Sequence, residues 1–246
     1  MKHKGLSANA LKYLAIIAMT IDHTAFVFVN PHSALWYVMR TIGRLTAPIM
    51  CYFIAEGFHY TRSRRKYLIR TAVFAVISQP FYFVMVFGRP PDKVSEFLMN
   101  MNVMYTFSVS LLMLCIADSR KLNLGKKIIL IAVCFALADL GDWAYVAPAW
   151  VLVFHLFRGD FKKQSLAFIG VSVVLMTYRF LPLFDSFAEF SYQFGVLLAL
   201  VPLSMYNGKR GGGENRRVRD FNKWVFYVFY PIHIAVIVFL KFSMLH

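Results

Sequence analysis

Two neighbouring apolar runs of this sequence each contain a pair of ionisable residues that could carry out acid–base or anion-binding chemistry. Asp22 and His23 lie deep within the first run, and Arg40 and Arg44 lie within the second. An ionisable residue inside a membrane-spanning helix costs about 2.5 kcal/mol or more, so such residues usually mark a functional site. Because Arg40 and Arg44 are four residues apart, they share a helix face and repel each other unless an anion lies beside them. Asp22 is the nearest candidate for that anion.

The residue types in this cluster predict proton transfer combined with anion binding. His23 is expected to act as a general base that takes a proton from an acceptor amine or hydroxyl, while the arginines bind an anion or a developing oxyanion. Asp22 or another acid would orient the imidazole ring or balance the charge. Neighbouring residues on a helix point about 100° apart, so Asp22 is not assumed to contact the His23 ring. The alternative is a buried ion-pair network that only joins the first two helices.

Further polar residues lie within the apolar runs and are candidates for substrate binding. His233 follows Pro231, which is expected to kink the last helix, and it would lie near the middle of the membrane, about 16 Å above Asn222. Hydrogen bonding between packed helices is an equally good interpretation of each of these residues taken alone. The predicted substrate-binding residues, besides Arg40, are Glu56, Gln79, Asn102, Asp139 and His233.

The composition predicts that these residues are positioned by a polytopic bundle of membrane-spanning helices. The chain has 246 residues, of which 59% are hydrophobic and 16% charged, and its mean hydropathy is +0.57. We therefore expect an all-α fold in which the bilayer is the main partner. Nine spans are predicted, at 8–29, 35–60, 67–87, 97–117, 127–140, 144–157, 165–181, 190–206 and 223–244. Those at 127–140 and 144–157 are shorter than the roughly 20 residues that a full crossing needs.

The positions of lysine and arginine predict the orientation of this bundle. With the N-terminus placed inside, the even-numbered connections hold most of the basic residues, and such residues accumulate on the cytoplasmic side. The prediction is an N-in, C-out protein of the inner membrane, formed by a single domain over 1–246 with a flexible basic cytoplasmic loop at 207–222. The net charge of +15 is then a consequence of topology, and no nucleic-acid partner is expected.

The end of the eighth span is a candidate binding site for a phosphorylated ligand. Tyr206, Asn207, Lys209 and Arg210 lie among glycines that would allow close approach of the backbone, and the cations suit phosphates such as those of coenzyme A. The alternative is a basic anchor at the end of a helix on the cytoplasmic side. The three cysteines fall inside spans, no metal-ligand spacing is present, and no metal is expected.

The sequence resembles the TraX family, which is named for the conjugation pilin acetylase. The similarity rests on motifs that occur in order over nearly the whole chain. They include Met19-Thr20-Ile21-Asp22-His23, Gly43-Arg44-Leu45-Thr46-Ala47-Pro48, Glu56-Gly57-Phe58, Ser78-Gln79-Pro80, Ala138-Asp139, Tyr206-Asn207-Gly208-Lys209-Arg210-Gly211 and Tyr230-Pro231-Ile232-His233. The family is in turn similar to the acyltransferase-3 membrane enzymes. At Asp139 the chain departs from the family pattern, in which an aromatic residue follows the acid.

The resemblance implies an enzyme that takes acetyl from cytoplasmic acetyl-CoA and places it on an acceptor at the outer face of the membrane. His23 would be the catalytic base and Arg44 its partner in binding the anion or thioester, with Arg40 beside them. The acceptor would be a peptide N-terminus, a glycan or a lipid. Two other functions stay open: a proton-coupled transporter that uses Asp22, His23 and Arg44 as a relay, and a non-enzymatic factor for membrane assembly.

Overall fold

The computed structural model describes residues 5–31, 33–213 and 215–244, and within these residues the ordered elements are helices. Two isolated β-bridges, Leu6 with Tyr206 and Met101 with Gly141, are the extended pairings in this part of the chain. The predicted all-α class is confirmed. The α-helices are α1 (Ala8–Phe28), α2 (Ala34–Gly43), α3 (Thr46–Tyr60), α4 (Arg64–Phe87), α5 (Val94–Met99), α6 (Val103–Ala117), α7 (Leu124–Ala138), α8 (Val146–Leu156), α9 (Phe161–Val171), α10 (Thr177–Phe180), α11 (Phe187–Phe190), α12 (Leu200–Ser204) and α13 (Arg216–Ser243).

Polar residues define the beginnings of most of the longer helices. The side chain of the residue before each of these helices accepts a hydrogen bond from a backbone N–H in the first turn, which would otherwise have no partner. The apolar segments that follow satisfy their own backbone groups, as a bilayer requires. The capping residues are Ser7, Ser33, Ser63, Asn102, Asn123, Asp160 and Asn215.

Among the described residues, four helices are long and apolar enough to cross a membrane. They are Ala8–Phe28, Arg64–Phe87, Phe161–Leu183 and Arg217–Ser243. The third contains a π-helical turn at Ser172–Met176. Shorter apolar helices lie at Val103–Ala117, Val146–Leu156 and Ser191–Ser204, the last of which begins as a 3₁₀ helix. The count of nine spans and the N-in orientation stay predictions.

The predicted span 35–60 is two helices. α2 ends at Gly43 and α3 begins at Thr46. The cause lies in the sequence, because Pro48 has no N–H to donate to the carbonyl of Arg44, and its ring would clash with that carbonyl in a continuous helix. Arg44 therefore lies at the end of α2 and not in the middle of a span.

The structure also differs from the prediction of a flexible loop over 207–222. α13 begins at Arg216, so the second half of that segment is helical. In the first half, the backbone N–H groups of Ala8 and Asn9 donate to the carbonyls of Lys209 and Arg210, at 2.8 and 3.0 Å. Lys209 and Arg210 thus supply partners for the first N–H groups of α1.

The chain divides into two compact units, Met1–Met50 with Asp160–His246, and Cys51–Gly159. α3 passes from the first unit into the second. In the first unit, α1 packs against α2 and α13, and α2 packs against the 3₁₀ segment Ser191–Ala199. In the second unit, α6 packs against α4, α7 and α8, and the Trp150 side chain is fully buried.

Candidate active site

Asp22 is the centre of a buried ion-pair cluster in the first unit. Arg44 Nη2 donates to both carboxylate oxygens of Asp22 at 2.8 Å, and Arg40 Nη1 lies 3.0 Å from Asp22 Oδ2. Asp22 and Arg44 are each only 8% exposed. The prediction that Asp22 lies between the two arginines is confirmed.

Two glycines allow the elements around this cluster to approach closely. A Cβ added at Gly43 would overlap the Asp22 side chain, so α1 and α2 could not hold their present separation with any larger residue there. A Cβ added at Gly195 would lie 2.6 Å from the carbonyl oxygen of Thr41 and 3.2 Å from Arg44 Cβ. These contacts set the distance of α2 from α1 on one side and from Ser191–Ala199 on the other.

The 3₁₀ segment Ser191–Ala199 adds residues to the cluster that the sequence did not indicate. Arg44 Nη1 donates to Gln193 Oε1 at 3.2 Å, and Gln193 Nε2 donates to the Tyr192 hydroxyl at 3.2 Å. The guanidinium carbon of Arg40 lies 5.4 to 5.7 Å from the ring centroids of Phe26, Trp36 and Tyr192. At this range the aromatic rings attract the cation.

His23 and His233 form a hydrogen bond that joins α1 to α13. The distance from His23 Nδ1 to His233 Nε2 is 2.8 Å, and the two ring planes are within 5° of parallel. The sequence did not indicate this pair: His233 was a candidate for substrate binding or for hydrogen bonding between helices, but nothing pointed to His23 as its partner. The available signal was that both histidines were expected well inside the bilayer, the first in the first span and the second in the last.

The arrangement combines a base with an excess of buried positive charge. Arginine stays protonated in proteins, so one carboxylate between two guanidinium groups leaves a net positive charge in this cluster. Arg40 Nε is buried and has no hydrogen-bond partner among the residues that the structure describes. A bound group with negative charge would be stabilised here. Over the same residues, no His, Cys, Asp and Glu side chains group in a way that could hold a metal ion.

Two of the other predicted substrate-binding residues, Gln79 and Asn102, form hydrogen bonds with each other and with the backbone of the second unit. Gln79 Nε2 donates to the carbonyls of Phe97 and Asn100, at 3.2 and 2.7 Å, and Gln79 Oε1 accepts from the backbone N–H and Nδ2 of Asn102. Asn102 Oδ1 caps α6 by accepting from the N–H of Met104 at 3.0 Å. These hydrogen bonds attach the connection between α4 and α6 to α4, which favours a structural role.

Glu56 and Asp139 lie in the second unit, as do Gln79 and Asn102. Glu56 is buried and its Oε1 accepts a hydrogen bond from Arg158 Nε at 2.8 Å. Asp139 is exposed at the end of α7. Neither belongs to the cluster around Asp22, which consists of residues of the first unit.

The predicted cofactor-binding residues lie beside the N-terminal segment of the chain. Asn207 Nδ2 donates to the carbonyl of Gly5 at 3.1 Å, its Oδ1 accepts from the N–H of Lys209 at 3.0 Å, and its backbone N–H donates to the Leu6 carbonyl at 3.0 Å. Tyr206 forms the bridge with Leu6. The carbonyls of Lys209 and Arg210 accept from the first N–H groups of α1. The Lys209 and Arg210 side chains are exposed.

Comparison with known proteins gives a match over nearly the whole chain. The family model described as TraX protein matches residues 7–241. A probable fimbrial assembly protein FimC, serogroup H1, of Dichelobacter nodosus is 35% identical over 236 residues, which is 94% of each chain. An uncharacterized protein of Rickettsia prowazekii (strain Madrid E) is 41% identical over 51 residues, 21% of this chain and 19% of the relative. No solved structure gives a significant match.

Proposed function

This chain belongs to the TraX family, and we propose that it is a membrane-embedded acetyltransferase. It would move acetyl from cytoplasmic acetyl-CoA to an amine or hydroxyl at the outer face of the inner membrane. The observation that carries the proposal is the position of His23, directly after Asp22, whose buried carboxylate pairs with two guanidinium groups. A base beside an excess of positive charge is what acyl transfer requires.

The proposed reaction uses His23 for the proton and the arginines for the charge. His23 takes a proton from the acceptor nitrogen or oxygen as that atom attacks the thioester carbonyl carbon. The new C–N or C–O bond forms, the C–S bond breaks, and the coenzyme A thiolate leaves and takes up the proton. Arg40, whose buried Nε has no hydrogen-bond partner among the described residues, is the proposed donor to the developing oxyanion.

The proposed donor site uses the cations of the loop between α12 and α13. Lys209 and Arg210 are exposed there, and lysine and arginine side chains bind phosphates. We propose that these two side chains contact the phosphates of acetyl-CoA.

The proposed acceptor is a molecule presented outside the membrane, such as the N-terminus of a fimbrial subunit. The relative from Dichelobacter nodosus is named as a probable fimbrial assembly protein, which supports a role in the assembly of a surface polymer. That name also suits a factor without catalytic activity. Glycans and lipids are the other acceptors that the chemistry allows.

The test is acetyl transfer by purified protein in vesicles, with labelled acetyl-CoA and a short peptide that has a free N-terminal amine. We expect His23→Ala to lower the rate by about 10²- to 10⁴-fold, because general base catalysis is worth that much. His59→Ala is the matched control, since His59 is an exposed histidine of the second unit and its variant should keep full activity.

Equal rates for wild type and His23→Ala would remove His23 from the mechanism. A normal surface polymer in cells that carry His23→Ala together with Arg44→Ala would instead favour a non-catalytic assembly factor.

A further inference from the structure

We propose that His233 is a positioning residue that holds His23 in one tautomer and so makes Nε2 of His23 the basic atom. The inference deepens the proposed function, on which it rests for the identity of the reaction. The tautomer itself can be measured whether or not the chain transfers acetyl.

The carbonyl oxygen of Phe229 determines which atom donates in each of the two hydrogen bonds of His233. His233 Nδ1 lies 2.9 Å from the carbonyl oxygen of Phe229. A carbonyl oxygen only accepts, so the proton of this bond must be on His233 Nδ1. In a neutral ring the other nitrogen, Nε2, then has a lone pair and can only accept.

The donor in the hydrogen bond between His23 and His233 follows in the same way. His233 Nε2 accepts, and His23 Nδ1 lies 2.8 Å from it, so the proton of this second bond is on His23 Nδ1. The lone pair of a neutral His23 is therefore on Nε2. That atom has no hydrogen-bond partner among the residues that the structure describes, and the His23 ring is only partly buried.

The opposite direction would require a doubly protonated His233. A cation at this position would lie in an apolar environment, because the Phe229 ring stacks on His233 with centroids 4.9 Å apart and the Tyr230 ring lies at 5.6 Å. His233 is only 7% exposed. An additional positive charge beside a cluster with two arginines and one carboxylate is unfavourable at low dielectric.

The geometry also suits the moment after proton transfer. When His23 Nε2 has taken a proton, Nδ1 still carries its own and still donates to His233. The nearly parallel planes of the two rings keep this bond aligned. Neither ring has to turn during the reaction, so the donor and acceptor groups are organised in advance.

The direct test is the nitrogen NMR spectrum of protein labelled with ¹⁵N-histidine. The histidines outside the pair are replaced by glutamine, and His23→Gln assigns the remaining signals. We expect one protonated Nδ1 and one unprotonated Nε2 for His23 in the unmodified pair. A spectrum in which His23 carries its proton on Nε2 would overturn the proposal without the need for any variant of His233.

Two substitutions separate positioning from simple packing. In His233→Gln the side-chain amide can still accept from His23 and donate to Phe229, whereas His233→Phe keeps a flat ring but provides no acceptor. We expect His233→Phe to lower kcat about 100-fold and to leave KM for acetyl-CoA within about threefold. It should also move part of the His23 proton to Nε2. His233→Gln should restore the rate to within about tenfold of wild type and keep the Nδ1–H signal.

Equal rates and equal spectra for the two variants would show that His233 has only a packing role. If wild-type protein shows the expected tautomer but no acetyl transfer, the proposed function fails while the role of His233 stands. If wild-type protein transfers acetyl but His23 does not carry its proton on Nδ1, the role of His233 fails while the proposed function stands.

Discussion

Asp22 forms ion pairs with two arginines in a buried environment. It is shared by two arginine side chains that are themselves about nine-tenths buried, with exposed fractions of 12% and 10%. Removing one partner from a buried ion pair costs about 3–5 kcal/mol, because the charge left behind has lost its compensation and is not hydrated. The carboxylate is therefore expected to matter for stability as well as for chemistry.

The two sides of this cluster should respond differently to substitution. Asp22→Asn keeps the shape of the side chain but leaves two guanidinium groups without a counter-charge, so the free energy of unfolding should fall by about 3 kcal/mol. Arg40→Met should cost clearly less, because Asp22 and Arg44 then form a balanced pair. Thermal unfolding of both purified variants in the same detergent measures the difference. Equal losses of stability in the two variants would show that the ion pair with Arg40 contributes as much as the Asp22 carboxylate does in total.

At the scale of elements, the break between α2 and α3 decides where Arg44 lies. Pro48 prevents a continuous helix, and α2 ends one residue before Arg44. Gly43 then lets the end of α2 approach Asp22 on α1, while Gly195 lets the 3₁₀ segment approach from the other side. Three elements meet at a distance that only glycine allows.

Added methyl groups test this close packing. Gly43→Ala would force the Asp22 side chain away from its present position, and Gly195→Ala would press on Thr41 and Arg44. Both variants should lose thermal stability and acetyl transfer. Gly170→Ala on α9 is the matched control, since nothing lies within 4 Å of an added Cβ, and alanine favours a helix over glycine by about 0.5–1 kcal/mol. Identical stability and activity of all three variants would show that the close approach of these elements does not require glycine.

The hydrogen bonds of Gln79 predict a structural variant in the second unit. Gln79→Leu would leave the carbonyl of Asn100 and the backbone N–H of Asn102 without the hydrogen bonds that Gln79 makes to them. Each unpaired buried group costs about 1–3 kcal/mol, so the melting temperature should fall while the rate per folded molecule is unchanged. An unchanged melting temperature together with a raised KM for the acceptor would instead support the predicted role in substrate binding.

For the whole molecule, contacts within each unit agree with the predicted alternation of loops. In the first unit, residues 5–9 pair with residues 205–211, two segments that were predicted on the same side. In the second unit, the ion pair of Arg64 with Asp118 joins two predicted cytoplasmic connections. The bridge of Met101 with Gly141 joins the outer part of the predicted span 97–117 to a predicted outer connection. Each contact joins segments that were predicted on the same side of the membrane. Which of the two sides faces the cytoplasm stays a prediction.

Cysteine labelling determines the orientation. In a background without Cys51, Cys115 and Cys134, single cysteines replace Lys209 or Asp92, both of which are exposed. In right-side-out vesicles, a membrane-impermeant maleimide should label the cysteine at position 92 and not the cysteine at position 209. Labelling of 209 alone would reverse the orientation, and labelling of both would contradict the predicted span count.

Composition and residue spacing were enough to predict the all-α class of the molecule and the local part of the site. Hydropathy identifies helices that lipid can surround, and the short connection between α1 and α2 made the contact of Asp22 with Arg40 and Arg44 predictable. The family could be identified from ordered motifs that span nearly the whole chain. Pro48 could also have predicted the break before α3, but the continuous apolar run over 35–60 was interpreted as one span.

The distant residues that complete the site could be identified only from the folded chain. His23 and His233 are 210 positions apart, and Arg44 and Gln193 are 149 apart. In a water-soluble protein, the apolar face of a helix shows which side packs inward. In a bilayer, lipid tails are as apolar as the protein interior, so the face that packs on another helix is not marked by hydrophobicity. The partner of His23 therefore became evident only when α1 and α13 were seen side by side.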